Sequence, residues 1–261
     1  MTTKDHNLQV HMFPALQDNY CYLIRDPETG ATAVVDTPEV VAIERAIAAT
    51  GWGLDYILNT HHHWDHAGGN LELKHKTSCE VVGPRADATR IPGIDIQVAE
   101  GESFELGTRT ARIYETPGHT RGHIVYHFEA DGVAFVGDTL FSMGCGRLFE
   151  GTPEQMWQSL HKLVANWPDD TQIYCAHEYT QSNARFALTV EPENADLVER
   201  SKQVDRLRQL DQPTIPTTMG LEKATNPFLR PDSRGLRATL GMPDAPNVEV
   251  FAETRRRKDR F

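Results

Sequence analysis

Thr60-His61-His62-His63-Trp64-Asp65-His66 is the stretch on which the reading of this chain turns. His61 and His63 stand two residues apart, a spacing for an extended or irregular segment and not for one face of a helix. Asp65 and His66 follow at once, so their side chains diverge and each can serve a different position. The preceding Asp55 to Thr60, Asp-Tyr-Ile-Leu-Asn-Thr, reads as a short buried strand that delivers the cluster at its C-terminal end. Three more residues of the same chemistry stand in similar contexts: His119 in Thr-Pro-Gly-His-Thr, Asp138 in Gly-Asp-Thr, and His177 in Cys-Ala-His-Glu-Tyr. Each follows a predicted strand: Thr110 to Glu115, Val133 to Gly137, and Ile173 to Ala176. Five imidazoles and two carboxylates exceed the four ligands that one zinc usually takes, and suit two metal ions. A run of surface histidines is the bland reading of the first cluster alone; three further candidates at strand ends weigh against it.

Outward from the cluster, the first two-thirds of the chain alternates short apolar runs with turn signals. Val10 to Ala15, Tyr20 to Ile24 and Ala31 to Val35 read as strands, the last two joined as a hairpin through Asp26-Pro27-Glu28-Thr29-Gly30. Pro38 opens a helix with Val41, Ile43, Ala46, Ile47 and Ala49 near one face and Gly51 as its stop. Another helix is expected to begin at Ala67-Gly68-Gly69-Asn70 and run to about Lys76. Glu80 to Gly83, Ile94 to Ala99 and His123 to Phe128 complete the predicted strands, and Thr152-Pro153-Glu154 starts a helix to about Ala165. Beyond Tyr179 the pattern turns helical, over Thr180 to Thr189 and Asn194 to Leu210, followed by Pro- and Thr-rich connections and a basic tail. The expected division is a sheet-containing domain over residues 1–178 and a smaller helical one over 179–261. Sites built from loops at one edge of a layered α/β scaffold gather their residues in this way.

At 261 residues and 39% hydrophobic content the chain can bury a sizeable core, and no apolar run reaches the roughly 18 residues of a membrane span. Met1 to His6 lacks the apolar stretch of a secretory signal, so a cytoplasmic protein is expected. Cys21, Cys79, Cys145 and Cys175 are scattered and read as reduced thiols. A net charge of -11 argues against a nucleic-acid binder. Five positive charges are nevertheless concentrated in Arg255-Arg256-Arg257-Lys258-Asp259-Arg260-Phe261.

The His-x-His-x-Asp-His pattern at His61, His63, Asp65 and His66 resembles that of the metallo-β-lactamase superfamily. Within it the chain is most similar to the glyoxalase II family, the hydroxyacylglutathione hydrolases. The likeness runs through Thr60 to Asn70, Thr116 to His123, Gly137 to Gly151 and Cys175 to Thr180. It continues into Asn226-Pro227-Phe228-Leu229-Arg230 and the closing Arg-Lys-Asp-Arg-Phe. The resemblance implies an α/β fold, an αβ/βα sandwich with a helical C-terminal domain. It implies two divalent metal ions, zinc foremost with iron or manganese compatible. His61, His63 and His119 would hold one, Asp65, His66 and His177 the other, and Asp138 would bridge them; Asp65 and Asp138 are the expected catalytic carboxylates. It also assigns Arg147, Tyr179, Arg255 and Lys258 to glutathione, with Phe149 standing where some members carry a second tyrosine.

Other positions read differently. Alternation turns His62 away from its neighbours, so it is not expected to bind metal. His123 is expected to play a structural or supporting role. Asp36, at a strand end, is either a partner of a ligand imidazole or an ordinary strand-end carboxylate. His6, His11, His75, His127 and His161 belong to no constellation. The basic tail is expected to fold back onto its domain, because Phe261 ends it with an apolar residue.

The expected reaction is hydrolysis of an S-(2-hydroxyacyl)glutathione, S-D-lactoylglutathione above all, by a monomer with no nucleic-acid or membrane partner. Metal-bound water loses its proton near pH 7, and a thiol with a pKa of about 8.5 leaves readily as thiolate. The absence of an obvious general acid therefore favours a thioester over an amide. A mononuclear iron persulfide dioxygenase is the alternative; a nuclease and a metal-binding protein without activity are more distant rivals.

Overall fold

The structure is a computed structural model that describes residues 7–261. Met1–His6, on which the reading of the N-terminus rests and to which His6 belongs, lie outside the described residues. The chain divides into two compact units: one runs up to Glu115 and includes Gly122–Phe135, the other comprises Thr116–Arg121 and Val136–Phe261.

The first unit opens with β1 (Gln9–Ala15), β2 (Asn19–Arg25), β3 (Thr32–Val35), α1 (Val40–Thr50) and β4 (Tyr56–Leu58). It continues with α2 (Trp64–Ala67), α3 (Asn70–Thr77), β5 (Glu80–Pro84), β6 (Ile96–Val98), β7 (Ser103–Leu106), β8 (Arg109–Glu115) and β9 (Ile124–Phe128). β10 (Val133–Gly137) begins in this unit and ends in the other. Strands β1 to β6 form one sheet in sequence order. The β1–β2–β3 meander is antiparallel, as its short turns require, and β3 to β6 are parallel with helices at the crossovers. Leu23, Val34, Ile57 and Val81 of that sheet pack with Ala42, Ile43 and Ala46 of α1 and Leu73 of α3. The parallel strands end at Val35 and Leu58, and the chain leaving each end carries Asp36 and the histidine cluster.

In the second unit come β11 (Leu140–Phe141), β12 (Gly144–Cys145), α4 (Pro153–Asn166), β13 (Gln172–Cys175), α5 (Thr180–Val190) and α6 (Ala195–Gln209). β14 (Thr217–Thr218), α7 (Met219–Thr225), α8 (Arg234–Leu240) and α9 (Asn247–Arg260) complete it. The end of β10 lies beside β13, with the Ala176 amide donating to the Gly137 carbonyl at 3.1 Å, and β14 pairs antiparallel with β13. α4 starts as expected: the Thr152 hydroxyl accepts from the Gln155 amide, the Gln155 side chain answers from the Thr152 amide, and Pro153 fills the first turn.

Several expectations need correction. Val41 and Ala49 of α1 face solvent, and only Ala42, Ile43 and Ala46 are buried, because that face is the one packed on the sheet. The helix expected to open in Ala67-Gly68-Gly69-Asn70 is present as α3, from Asn70, while Trp64–Ala67 is a separate helical turn that was not expected. β7 was not expected. The Pro- and Thr-rich stretch contains α7 and α8, each opened by a capping hydroxyl, Thr218 or Ser233. The basic tail is helix α9, stitched by Glu253–Arg256, Glu253–Arg257 and Arg255–Asp259 pairs one turn apart. It folds back through Arg255, which is buried; Phe261 remains 61% exposed.

Candidate metal centre

In the first unit, Asp36 organises the cluster. Its Oδ1 accepts the Thr60 amide and its Oδ2 the Thr60 hydroxyl, both at 2.8 Å. The Thr60 hydroxyl has spent its proton, so its oxygen accepts from His61 Nδ1 at 3.1 Å. His61 therefore carries its lone pair on Nε2, which lies 3.0 Å from His63 Nδ1. Asp36 Oδ2 also takes His66 Nδ1 at 2.8 Å, which leaves the His66 Nε2 lone pair 3.4 Å from Asp65 Oδ2. Asp36 holds these contacts at a φ of 58°, a conformation rare for a non-glycine residue. Asn19 and Asn59, which sequence reasoning passed over, fix the backbone: Asn19 donates to the Asp65 carbonyl and carboxylate, and Asn59 to the His66 carbonyl at 2.8 Å. Their only signal was a buried asparagine beside a strand end.

His62 is engaged elsewhere. Nδ1 lies 3.1 Å from the Asp87 carboxylate and Nε2 accepts from Arg90 at 3.1 Å, so its one lone pair is used. His123 is fully buried, with its ring 4.9 Å from that of His61.

The second unit presents the remaining three candidates, each following a strand. Asp138 is buried, and its Oδ2 and Oδ1 lie 3.4 Å from His119 Nε2 and His177 Nε2 respectively. His119 Nδ1 donates to the Arg147 carbonyl at 2.9 Å, which places the lone pair on Nε2, facing the carboxylate. Gly118 sits at a φ of 152° and approaches α4 so closely that a Cβ there would meet Met156 at 2.8 Å. The Tyr179 ring stacks on His177 at 4.7 Å and 3°.

Where the ring is neutral, a lone pair facing a carboxylate is an arrangement that a cation between them would relieve. The His66–Asp65 and His119–Asp138 pairs both have that polarity, and the imidazole and carboxylate donors suit divalent ions.

A cavity of ≈400 Å³ lies wholly within the second unit, lined by His119, Asp138 and the side chains of Arg147, Tyr179, Arg255 and Lys258 among others. Phe149 also lines it, 62% exposed and 5.2 Å from the His119 ring. Three cations against one carboxylate suit an anionic ligand. Arg255 is the most committed of them: it donates to the Cys145 carbonyl at 2.9 Å and pairs with Asp259 at 2.8 Å. Lys258 donates to the Ser182 carbonyl and hydroxyl. Burial, then the charges of Arg255 and Arg147, lower its ammonium pKa to about 8. Cys145, also in the wall, is pushed up to about 11 chiefly by burial and remains a thiol at neutral pH.

Comparison with known families separates the chain into two abutting matches. Residues 16–177 match the metallo-β-lactamase superfamily, and residues 178–261 match the hydroxyacylglutathione hydrolase C-terminus.

The chain belongs to the hydroxyacylglutathione hydrolase family.

A hydroxyacylglutathione hydrolase of Methylococcus capsulatus is 55% identical over 97% of this chain and 99% of its own length. One of Brucella canis is 51% identical over 100% of both chains. Among solved structures, ETHE1 from Myxococcus xanthus has a TM-score of 0.66 at 23% identity, covering 96% of this chain and 99% of its own, which speaks to the fold alone. The hydroxyacylglutathione hydrolase family thus brings the metallo-β-lactamase fold with a helical C-terminal part, and that fold implies divalent metal ions.

Proposed function

We propose that this chain hydrolyses S-(2-hydroxyacyl)glutathione thioesters, S-D-lactoylglutathione foremost, to the hydroxyacid, D-lactate, and glutathione, as in the removal of methylglyoxal. The observation that carries this is the cavity in which His119 and Asp138 share one wall set with Arg147 and Lys258: metal donors and anion-binding cations line one space. The full-length likeness to hydroxyacylglutathione hydrolases supports it.

His61, His63 and His119 would hold one divalent ion and Asp65, His66 and His177 a second, with Asp138 shared between them. When bound, such a pair supplies a water that is deprotonated near neutral pH and a Lewis acid for the thioester carbonyl. Asp65 and Asp138 return two of four positive charges, which leaves a net positive centre where an oxyanion develops. Asp36 fixes the tautomer and ring plane of His66 directly, and those of His61 through Thr60. Water adds to the carbonyl carbon, the carbon–sulfur bond breaks, and glutathione departs as thiolate without needing a protonated leaving group. Arg147 and Lys258 hold its carboxylates, Tyr179 closes the wall beside His177, and Arg255 forms the floor of the same charged surface.

Zinc is the resident metal, in keeping with the imidazole-rich donors. The proposed state is a monomer and the proposed compartment the cytoplasm, the latter in keeping with four free, buried cysteines. Among the described residues no helix is long and apolar enough to cross a membrane. Residues 1–178 form the catalytic domain and 179–261 the substrate-binding one, a division supported by the two abutting family matches. The test is loss of thioester absorbance from S-D-lactoylglutathione with metal-replete protein. Oxygen consumption with glutathione persulfide, in place of hydrolysis, would instead indicate the dioxygenase.

A further inference from the structure

The motif Asn226-Pro227-Phe228-Leu229-Arg230 has so far no part in the chemistry. Its first residue is fully buried, and its side-chain nitrogen lies 3.1 Å from the Phe141 carbonyl, 2.9 Å from the Gly144 carbonyl and 3.0 Å from Glu222 Oε2. Glu222, on α7, is also fully buried. Its Oε2 accepts the Met143 amide at 2.7 Å and its Oε1 the Thr217 hydroxyl at 2.7 Å. Asn183 of α5 donates to the Ser142 carbonyl at 3.1 Å, and Arg255 to the Cys145 carbonyl. The backbone of the β11–β12 hairpin is thus held by side chains from several C-terminal elements.

That hairpin follows Asp138 by two residues and supplies Phe141 and Cys145 to the cavity. Its turn is not one the backbone would choose. Met143 sits at a φ of 53°, and such a conformation persists only where its surroundings impose it. The imposing group is a carboxylate in a dry interior, where an apolar side chain would serve stability at lower cost. The Met143 side chain is locked as well, packed with Ala184, Ala187, Leu197 and Val204 of α5 and α6. Close approach carries the hairpin's position to the centre: a Cβ on Gly144 would meet Asn183 at 2.4 Å, and one on Gly146 would meet the Asp138 carbonyl at 2.0 Å.

We propose that Glu222 and Asn226 are positioning residues for the substrate pocket, setting the β11–β12 hairpin so that Phe141 and Cys145 fit the glutathione moiety. This rests on the hydrolase reading above. The outer face of the site is then specified from α7 and Asn226, and the family's C-terminal motif acts by shaping a wall without touching the ligand.

The experiment compares metal-replete wild type, Glu222→Ala, Asn226→Ala and Glu222→Gln. Each is measured for KM and kcat with S-D-lactoylglutathione, glutathione affinity by calorimetry, and metal content. The two alanine variants are expected to raise KM and weaken glutathione binding by roughly tenfold, the equivalent of one lost buried hydrogen bond, at unchanged metal content. Glu222→Gln is expected to restore both, because its carbonyl can still accept from Met143 while its NH2 turns to the Thr217 hydroxyl. KM and glutathione affinity unchanged in a folded alanine variant would overturn the inference. Should neither alanine variant fold, Asn226→Leu decides by the same two measurements, since it keeps the volume and removes the donor to the Phe141 and Gly144 carbonyls. Absence of wild-type turnover would instead reject the hydrolase reading, and glutathione affinity alone would then judge the hairpin.

Discussion

His66 directs its two ring nitrogens at two carboxylates, Nδ1 at Asp36 at 2.8 Å and Nε2 toward Asp65 at 3.4 Å. Only the first distance is that of a hydrogen bond; the second leaves a lone pair facing an anion. One side chain is thereby oriented by a buried partner and offered to a cation. Removing that partner should weaken metal binding without deleting a ligand. Asp36→Ala is expected to lower zinc affinity by roughly 10- to 100-fold, read by chelator competition. Affinity within twofold of wild type would show that the ring is held by other contacts.

Substrate binding should depend on pH through Lys258. Its pKa is lowered to about 8 by burial and by the neighbouring arginines, so the ammonium is charged below that pH and neutral above it. KM for an anionic glutathione thioester is expected to rise as pH increases through about 8. In Lys258→Ala, KM should be higher at neutral pH and lack that inflection. An inflection that survives the substitution would assign the dependence to another group.

Acid stability should depend on a site far from the chemistry. Asp26 is buried, and burial alone would raise its pKa. Hydrogen bonds from the Thr108 and Glu28 amides, the Thr29 hydroxyl and Arg109 outweigh that and hold the carboxyl well below the usual range. A depressed folded-state value stabilises the fold above the unfolded pKa of about 3.9 and is lost as pH falls below it. Asp26→Asn is expected to lower the urea midpoint at pH 7 and to flatten its decline between pH 5 and 3. An equally steep decline in the variant would place the acid sensitivity elsewhere.

What the sequence showed and hid has a physical pattern. The strand ends carrying His61, His119, Asp138 and His177 were legible because apolar runs and the residues after them are local signals. The Thr152 cap was legible for the same reason. The helical turn at Trp64–Ala67 was not: the His66 carbonyl accepts from Asn59 and the Thr37 amide, partners distant in sequence, while Gly68-Gly69 reads locally as a boundary. β7 alternates exposed and buried residues over only four positions and so carries little signal. The C-terminal Arg/Lys run read as a tail because its charges were counted rather than placed. Glu253 and Asp259, spaced to meet Arg257 and Arg255 one turn away, were the signal that could have shown helix α9. Asp36 had two readings in the sequence, and its contact with His66 decides between them; the contacts of Glu222 and Asn226 with the hairpin cross tens of residues and could be seen only in the folded chain.

The most direct test of the account is hydrolysis of S-D-lactoylglutathione by wild type and Asp138→Ala, with metal content measured on the same samples. Wild type is expected to turn over at close to two metal ions per chain, and Asp138→Ala to lose about 100-fold or more of that rate together with metal. Fully loaded wild type that leaves the thioester intact, or an Asp138→Ala variant that keeps both metal and turnover, would contradict the account.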